Sequence, residues 1–149
     1  MEYPLIEAFV TAWDTHNAEA LRATMSEDAI YEVVPQGRSF GPDKLDEQVD
    51  FMHSLSSDFS MRAVSVLRDD DRYAVEWELE GTNDGPFGPL HLEPSGRPFK
   101  VRGTWIVESK SGKIISCRAY WDFAGLLRQI DATSGGQIAW QMALWNEED

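Results

Sequence analysis

The clearest candidates for chemistry lie in one apolar run near the end of the chain, Lys113 to Phe123. Arg118, Tyr120 and Asp122 alternate there. In an extended strand that spacing puts a guanidinium, a phenol and a carboxylate on one face. Ile115, Cys117, Ala119, Trp121 and Phe123 fall on the other face and are suited to packing. If the polar face lines an apolar hollow rich in Trp, burial raises the pKa of Asp122 and suits it to general acid/base work. Two structural readings compete: Asp122 as the cap of a helix beginning near Ala124, or Asp122 paired with Arg118. All three readings stay open on spacing alone.

The stronger sequence signatures are missing. There is no glycine-rich phosphate loop, no nucleophile elbow and no HExxH. His16, His53 and His91 are too far apart to form a ligand pattern, so no metal is expected. Cys117 has no basic neighbour on its own strand face and reads as a plain buried thiol. Substrate-binding candidates are Trp13, Tyr31, His53, Asp58, Trp77, His91, Trp105 and Arg118. Trp13 and Trp77 serve equally as core or as pocket wall, and Tyr31 needs a partner for its hydroxyl if buried. His53 reads as a surface or pocket-mouth residue, Asp58 as a turn residue that could reach the cavity, and His91 as a loop residue near a ligand.

These residues have to be positioned by recognisable elements. Leu5, Ile6, Phe9, Val10, Ala12 and Trp13 recur at helical spacing, which predicts a helix from Pro4 to His16 with proline in its first turn. Asn17 reads as the cap of a second helix, Ala18 to Met25. A strand follows over Ala29–Val34, ended by Pro35, and then a loop over Gln36–Gly41. A third helix is predicted from Pro42 to Leu55. Four strands come next, Phe59–Leu67, Arg72–Asn83, Phe99–Glu108 and Lys113–Phe123, with a turn at Ser111-Gly112. In the second of these, Tyr73, Val75, Trp77 and Leu79 face one way, and Glu76, Glu78 and Glu80 form a face read as solvated. Arg102 is placed on the outer sheet face. The Pro- and Gly-rich stretch from Asp84 to Pro98 reads as a long loop of the kind that often closes over binding sites. A short helix, Ala124–Ile130, precedes a tail with Ile138, Trp140, Met142, Leu144 and Trp145.

Helices first and a meander after them imply an α+β fold: a curved antiparallel sheet wrapped around helices, cone-shaped, with one internal pocket. The expected division is a domain over residues 1–131 and a C-terminal extension over 132–149, helical and covering the pocket or a subunit contact. With 149 residues the chain suits one domain. Its formal net charge of −13 argues against nucleic-acid partners and against docking on an anionic membrane. One cysteine excludes an intrachain disulfide. No apolar run has the length of a membrane span, and Met-Glu-Tyr-Pro lacks a basic secretory start, so the expected location is the cytoplasm.

Several stretches resemble SnoaL-like proteins of the nuclear transport factor 2-like superfamily. They are FVTAWDTHN from Phe9, Ala29-Ile30-Tyr31-Glu32, Gly41-Pro42-Asp43 and Tyr73-Ala74-Val75-Glu76-Trp77. Others are EGTNDGPF from Glu80 and PSGRPF from Pro94. The most specific are Gly112-Lys113-Ile114-Ile115 and YWDFAGLLRQI from Tyr120. The resemblance covers residues 1–131 and implies the same cone fold. It also implies a cyclase or isomerase acting on a hydrophobic, polyketide-like or polycyclic small molecule by acid/base chemistry. No metal, cofactor or covalent intermediate is implied, and a homodimer is expected. The family's essential carboxylate falls on Asp122, with Tyr120 assisting, and neutral donors such as Tyr120 or an indole N–H would stabilise an enolate. The cyclases carry a histidine on the neighbouring strand, whereas Val101-Arg102-Gly103-Thr104-Trp105 has none. The alternatives are a non-catalytic ligand-binding or dimerisation domain and, more remotely, an epoxide hydrolase.

Overall fold

The computed structural model describes residues 2–86 and 93–131. His91 and the C-terminal extension therefore lie outside the described residues. Helix α1 spans Pro4–Asp14, with Pro4 at its start, and buries Ile6, Phe9, Val10, Ala12 and Trp13 along one stripe. His16, in the left-handed region at φ 56°, turns the chain sharply into α2, Ala18–Ala23. The side chain of Asn17 caps α2 by accepting the N–H of Ala20 at 3.0 Å. Strand β1, Met25–Val33, runs into a 3-10 turn at Val34–Gln36, and β2, Arg38–Phe40, folds back on it. Helix α3 covers Leu45–Leu55. The meander follows as β3 (Ser60–Asp69), β4 (Arg72–Thr82), β5 (Pro98–Lys110) and β6 (Lys113–Trp121), and α4, Phe123–Gln129, closes the described chain. No described helix is long and apolar enough to cross a membrane.

The six strands form one curved sheet in the order β2-β1-β6-β5-β4-β3. This is the expected α+β plan, with differences; α2 stops at Ala23 rather than Met25, and β1 begins at Met25 rather than Ala29. The stretch read as a loop after Pro35 contains β2, whose three residues are too few to show alternation and which pairs Tyr31 with Phe40 and Val33 with Arg38. The sheet is not wholly antiparallel, because β1 lies parallel to β6. A parallel neighbour requires a long crossover, which turn signals cannot reveal. Finally, α3 begins three residues later than expected, because residues 42–44 form a turn in which the Gly41 carbonyl accepts the N–H groups of Lys44 and Leu45.

A bulge decides the faces of β6. Ser116 pairs with Glu108 and Ile114 with Ser109, so Ile115 is the extra residue. Ile114 and Cys117 are both buried, while Ile115 is exposed. The alternation expected through Ile115 holds only from Cys117 onward.

The inner face of β4 matches expectation, with Tyr73, Val75, Trp77 and Leu79 all buried. The glutamate face is not uniformly solvated, however. The Glu78 side chain is only 6 % exposed, because Arg62 (2.7 Å), Arg102 (3.1 Å) and Lys100 (3.6 Å) close over it. Burial works against its charge, but the hydrogen bonds from Arg62 and Arg102 outweigh it and hold the carboxyl below its usual 4.5. A carboxyl depressed by folding adds stability above its unfolded pKa and loses it as the pH falls through the folded value. Wild type should therefore be more stable than Glu78→Gln at pH 7, with the gap shrinking as urea denaturation is repeated below about pH 4.5. A gap independent of pH would contradict this account.

Candidate functional site

Between α1, α3 and the inner face of the sheet lies an aromatic pocket. Trp13 comes from α1, Tyr31 and Val33 from β1, and Gln48 and Met52 from α3. Met61, Trp77, Leu79 and Trp121 complete the wall from β3, β4 and β6. The cavity among them is narrow, about 30 Å³. Its floor is a ring stack. Trp105 is fully buried, with its ring centre 4.7 Å from Phe9 and 5.6 Å from Trp77. Trp121 stands at the wall with its ring 6.2 Å from Trp77 and stacked on Phe123.

The polar atoms of this wall are few and neutral. The Trp105 indole N–H donates to the Tyr31 hydroxyl oxygen at 3.0 Å, which leaves the Tyr31 proton free to donate elsewhere. Burial holds the Tyr31 phenol well above its usual pKa, helped by the Cys117 thiol and only partly offset by Trp105, so it stays protonated at neutral pH. The indole nitrogens of Trp13 and Trp77 are buried and have no hydrogen-bond partner. Native interiors leave few such groups unpaired, and two on one pocket wall point to a ligand oxygen. A larger groove, about 470 Å³, runs along Asp58, Glu80, Lys100 and Gln129. It is open to solvent, and its Asp58 carboxylate is already engaged, so we place the site in the smaller aromatic pocket.

The sequence candidates separate cleanly. Trp13, Tyr31 and Trp77 come together on the pocket wall, and Trp105 lies directly beneath. Asp122 does not join them. Its side chain is 59 % exposed, and its Oδ1 accepts the Gly125 N–H at 2.8 Å as the cap of α4. Strand β6 ends at Trp121, so the next residue starts the helix, and the capping reading is the one the geometry supports. Nor does Asp122 pair with Arg118; its nearest cation is Arg128, at 3.9 Å. Tyr120 is exposed, and Arg118 shares its outer face of β6. Asp122→Asn should keep the cap and the stability, whereas Asp122→Ala should lose about 1 kcal/mol by urea denaturation. An equal loss in both variants would argue against a capping role.

His53 points to α1 rather than into the pocket. Its Nε2 lies 2.8 Å from the Trp13 carbonyl oxygen, and its ring stacks on His16 at 4.5 Å. Burial lowers its pKa, partly offset by the Trp13 carbonyl, and His16 lowers it further. Asp58 binds the Ser56 hydroxyl and the Thr82 N–H at 2.8 and 2.7 Å, which keeps it ionised and ties the start of β3 to the end of β4. Cys117 is buried, and burial pushes its thiol up, as expected for an unreactive cysteine. Among the described residues no group of three or more His, Cys, Asp or Glu is placed to hold a metal ion. The residue the sequence reading passed over is Gln48. The signal for it was available: an amide at an inward position of α3, in line with Leu45, Val49, Met52 and Leu55.

Proteins of known structure share this arrangement. Among solved structures, IdmH from Streptomyces antibioticus, described as a candidate polyketide cyclase, superposes with a TM-score of 0.75. It is 18% identical, over 86% of this chain and 96% of that one. TsrD from Streptomyces laurentii gives 0.74 at 22% identity, over 87% of this chain and 93% of that one. A protein of ketosteroid isomerase-like fold from Catenulispora acidiphila, solved with trimethylamine, gives 0.73 at 18% identity, covering 85% and 92%. These likenesses establish the fold. No curated protein matches the chain in sequence. Residues 4–130 match the family described as SnoaL-like polyketide cyclase. That match runs from the first residue of α1 past the end of α4 and takes in every wall of the aromatic pocket, so the chain belongs to the SnoaL-like polyketide cyclase family.

Proposed function

We propose that this chain binds a hydrophobic, oxygen-bearing polyketide-like or polycyclic molecule in the aromatic pocket and promotes its ring closure or isomerisation by stabilising an enolate. The observation that carries this reading is the pair of unpartnered indole N–H groups of Trp13 and Trp77 beside the Tyr31 hydroxyl. In an aldol closure a carbon next to a carbonyl loses a proton, and its electron pair moves onto the carbonyl oxygen. The enolate carbon then attacks a second carbonyl of the same molecule, and the new alkoxide takes up a proton. Neutral donors fixed in an apolar wall bind the enolate oxygen more strongly than the ketone oxygen, which lowers the barrier. Among the described residues the wall has no carboxylate or imidazole, so the donors named here act on the enolate oxygen and not as the base.

That same feature favours a second reading, binding without turnover. An epoxide hydrolase would need carboxylates converging on one water, and neither Asp58 nor Asp122 lines the pocket. The homodimer is a further proposal. We place it on the outer sheet face, where Arg62, Lys100 and Arg102 meet Glu76, Glu78 and Glu80. A single-copy mass in solution would overturn it.

Two measurements test the pocket. Tryptophan fluorescence should report binding of beta-naphthol in preference to naphthalene, and Trp77→Phe, which keeps a ring but loses the N–H, should weaken that binding about tenfold. Equal binding of the two compounds, or an unaffected Trp77→Phe variant, would remove the pocket reading. Deuterium exchange at the carbon next to the carbonyl of beta-tetralone, followed by NMR, then separates turnover from binding. Acceleration by wild type that is reduced in Trp77→Phe supports enolate stabilisation. Binding with no acceleration would select the non-catalytic reading.

A further inference from the structure

Tyr31 and Trp105 meet although their strands are not neighbours. Strand β6 runs between β1 and β5, with Tyr31 matched to Cys117 and Trp105 to Ala119. Both β6 residues are small and buried, so the phenol from β1 and the indole from β5 reach each other across them, with the indole nitrogen 3.0 Å from the phenol oxygen. An indole N–H can only donate, so chemistry sets the direction of this bond: Trp105 gives and Tyr31 receives. The Tyr31 proton is repelled by the incoming N–H and turns away from it. Trp105 itself is not part of the pocket wall, whereas Tyr31 is. Any influence of Trp105 on a ligand therefore passes through another side chain.

The bond also changes how well Tyr31 donates. A hydroxyl that accepts one hydrogen bond is polarised and becomes a stronger donor in the next. In keeping with this, the Trp105 bond draws the phenol pKa down against the larger upward push of burial. A phenylalanine at this place on β5 would fill most of the same volume but would leave the Tyr31 O–H free to rotate and unpolarised. Resting on the pocket reading above, we propose that Trp105 is a positioning residue: its indole N–H holds the Tyr31 O–H turned toward the pocket, where it donates to the carbonyl oxygen of a bound ketone. Trp105 thereby sharpens recognition of the ligand oxygen without touching the ligand.

Equilibrium dialysis of the full chain against beta-tetralone and against tetralin, the same bicycle without the oxygen, gives a preference ratio in which losses of packing cancel. Tyr31→Phe should lower that ratio about fivefold. Trp105→Phe should lower it about threefold, and the double variant no further than Tyr31→Phe alone. A ratio unchanged in either single variant, or losses that multiply in the double variant, overturns the inference. Those results leave the pocket reading standing, because that reading is tested at Trp77. Failure of beta-tetralone to bind wild type overturns both. Wild type also carries a readout that needs no variant. The Tyr31 oxygen becomes a better acceptor once its own proton is engaged, so the proton–nitrogen NMR signal of the Trp105 indole should move downfield with beta-tetralone and stay in place with tetralin. Equal shifts with the two ligands overturn the inference.

Discussion

Replacing Trp105 with alanine should lower the stability of the fold by about 3–5 kcal/mol, read from the urea midpoint. Trp105 is fully exposed to packing and not at all to solvent. It touches α1 through Phe9 and Trp13, and β4 through Trp77. Its removal leaves a void that α1 and the sheet have to collapse around, and it leaves the Tyr31 oxygen without its donor. Trp105→Phe separates the two contributions: most of the volume stays, and the lost hydrogen bond should cost about 1–2 kcal/mol. A loss below about 1 kcal/mol in the alanine variant would mean that this ring is not the centre of the core.

The second large effect is expected at Gly103. It faces inward on β5, paired with Trp77 on one side and Trp121 on the other. A β-carbon added there would lie 2.4 and 2.5 Å from Trp77 Cζ2 and Cη2, and 2.7 Å from Trp121 Cβ. No rotamer of alanine relieves contacts that close, so the Trp77 indole must move or the strands must part. Gly103→Ala should cost about 1–3 kcal/mol and should weaken beta-naphthol binding as well, because the ring that moves belongs to the pocket wall. Unchanged stability together with unchanged binding would show that Trp77 has room the structure does not give it.

Where residues acted through local periodicity, the sequence was readable. The stripe of α1, the Asn17 cap and the inward row Tyr73, Val75, Trp77 and Leu79 all follow from spacing and are found as expected. Trp13 and Trp77 were open between core and pocket wall, and the geometry makes them both. What stayed hidden depends on partners far away in the chain. The bulge that exposes Ile115 is a property of the β5–β6 pairing, not of β6. Glu78 looks like one more solvated glutamate until Arg62 and Arg102 arrive from neighbouring strands. Asp122 is the instructive case. Acid/base carboxylate and helix cap have the same local sequence, and only the end of β6 at Trp121 decides which way the side chain turns.

The parallel pairing of β1 with β6 has a consequence for how the chain is made. Tyr31 is matched with Cys117 and Val33 with Ala119, so the first strand has no inner neighbour until the whole meander has been synthesised. The hairpins β3–β4 and β5–β6 close over short turns, whereas pairing β1 with β6 closes a loop of most of the chain, which costs more entropy. Emerging from the ribosome, the N-terminal third carries Phe9, Trp13 and Tyr31 with nothing yet to cover them. Until the meander is in place, that apolar surface is exposed in a way the finished molecule does not repeat.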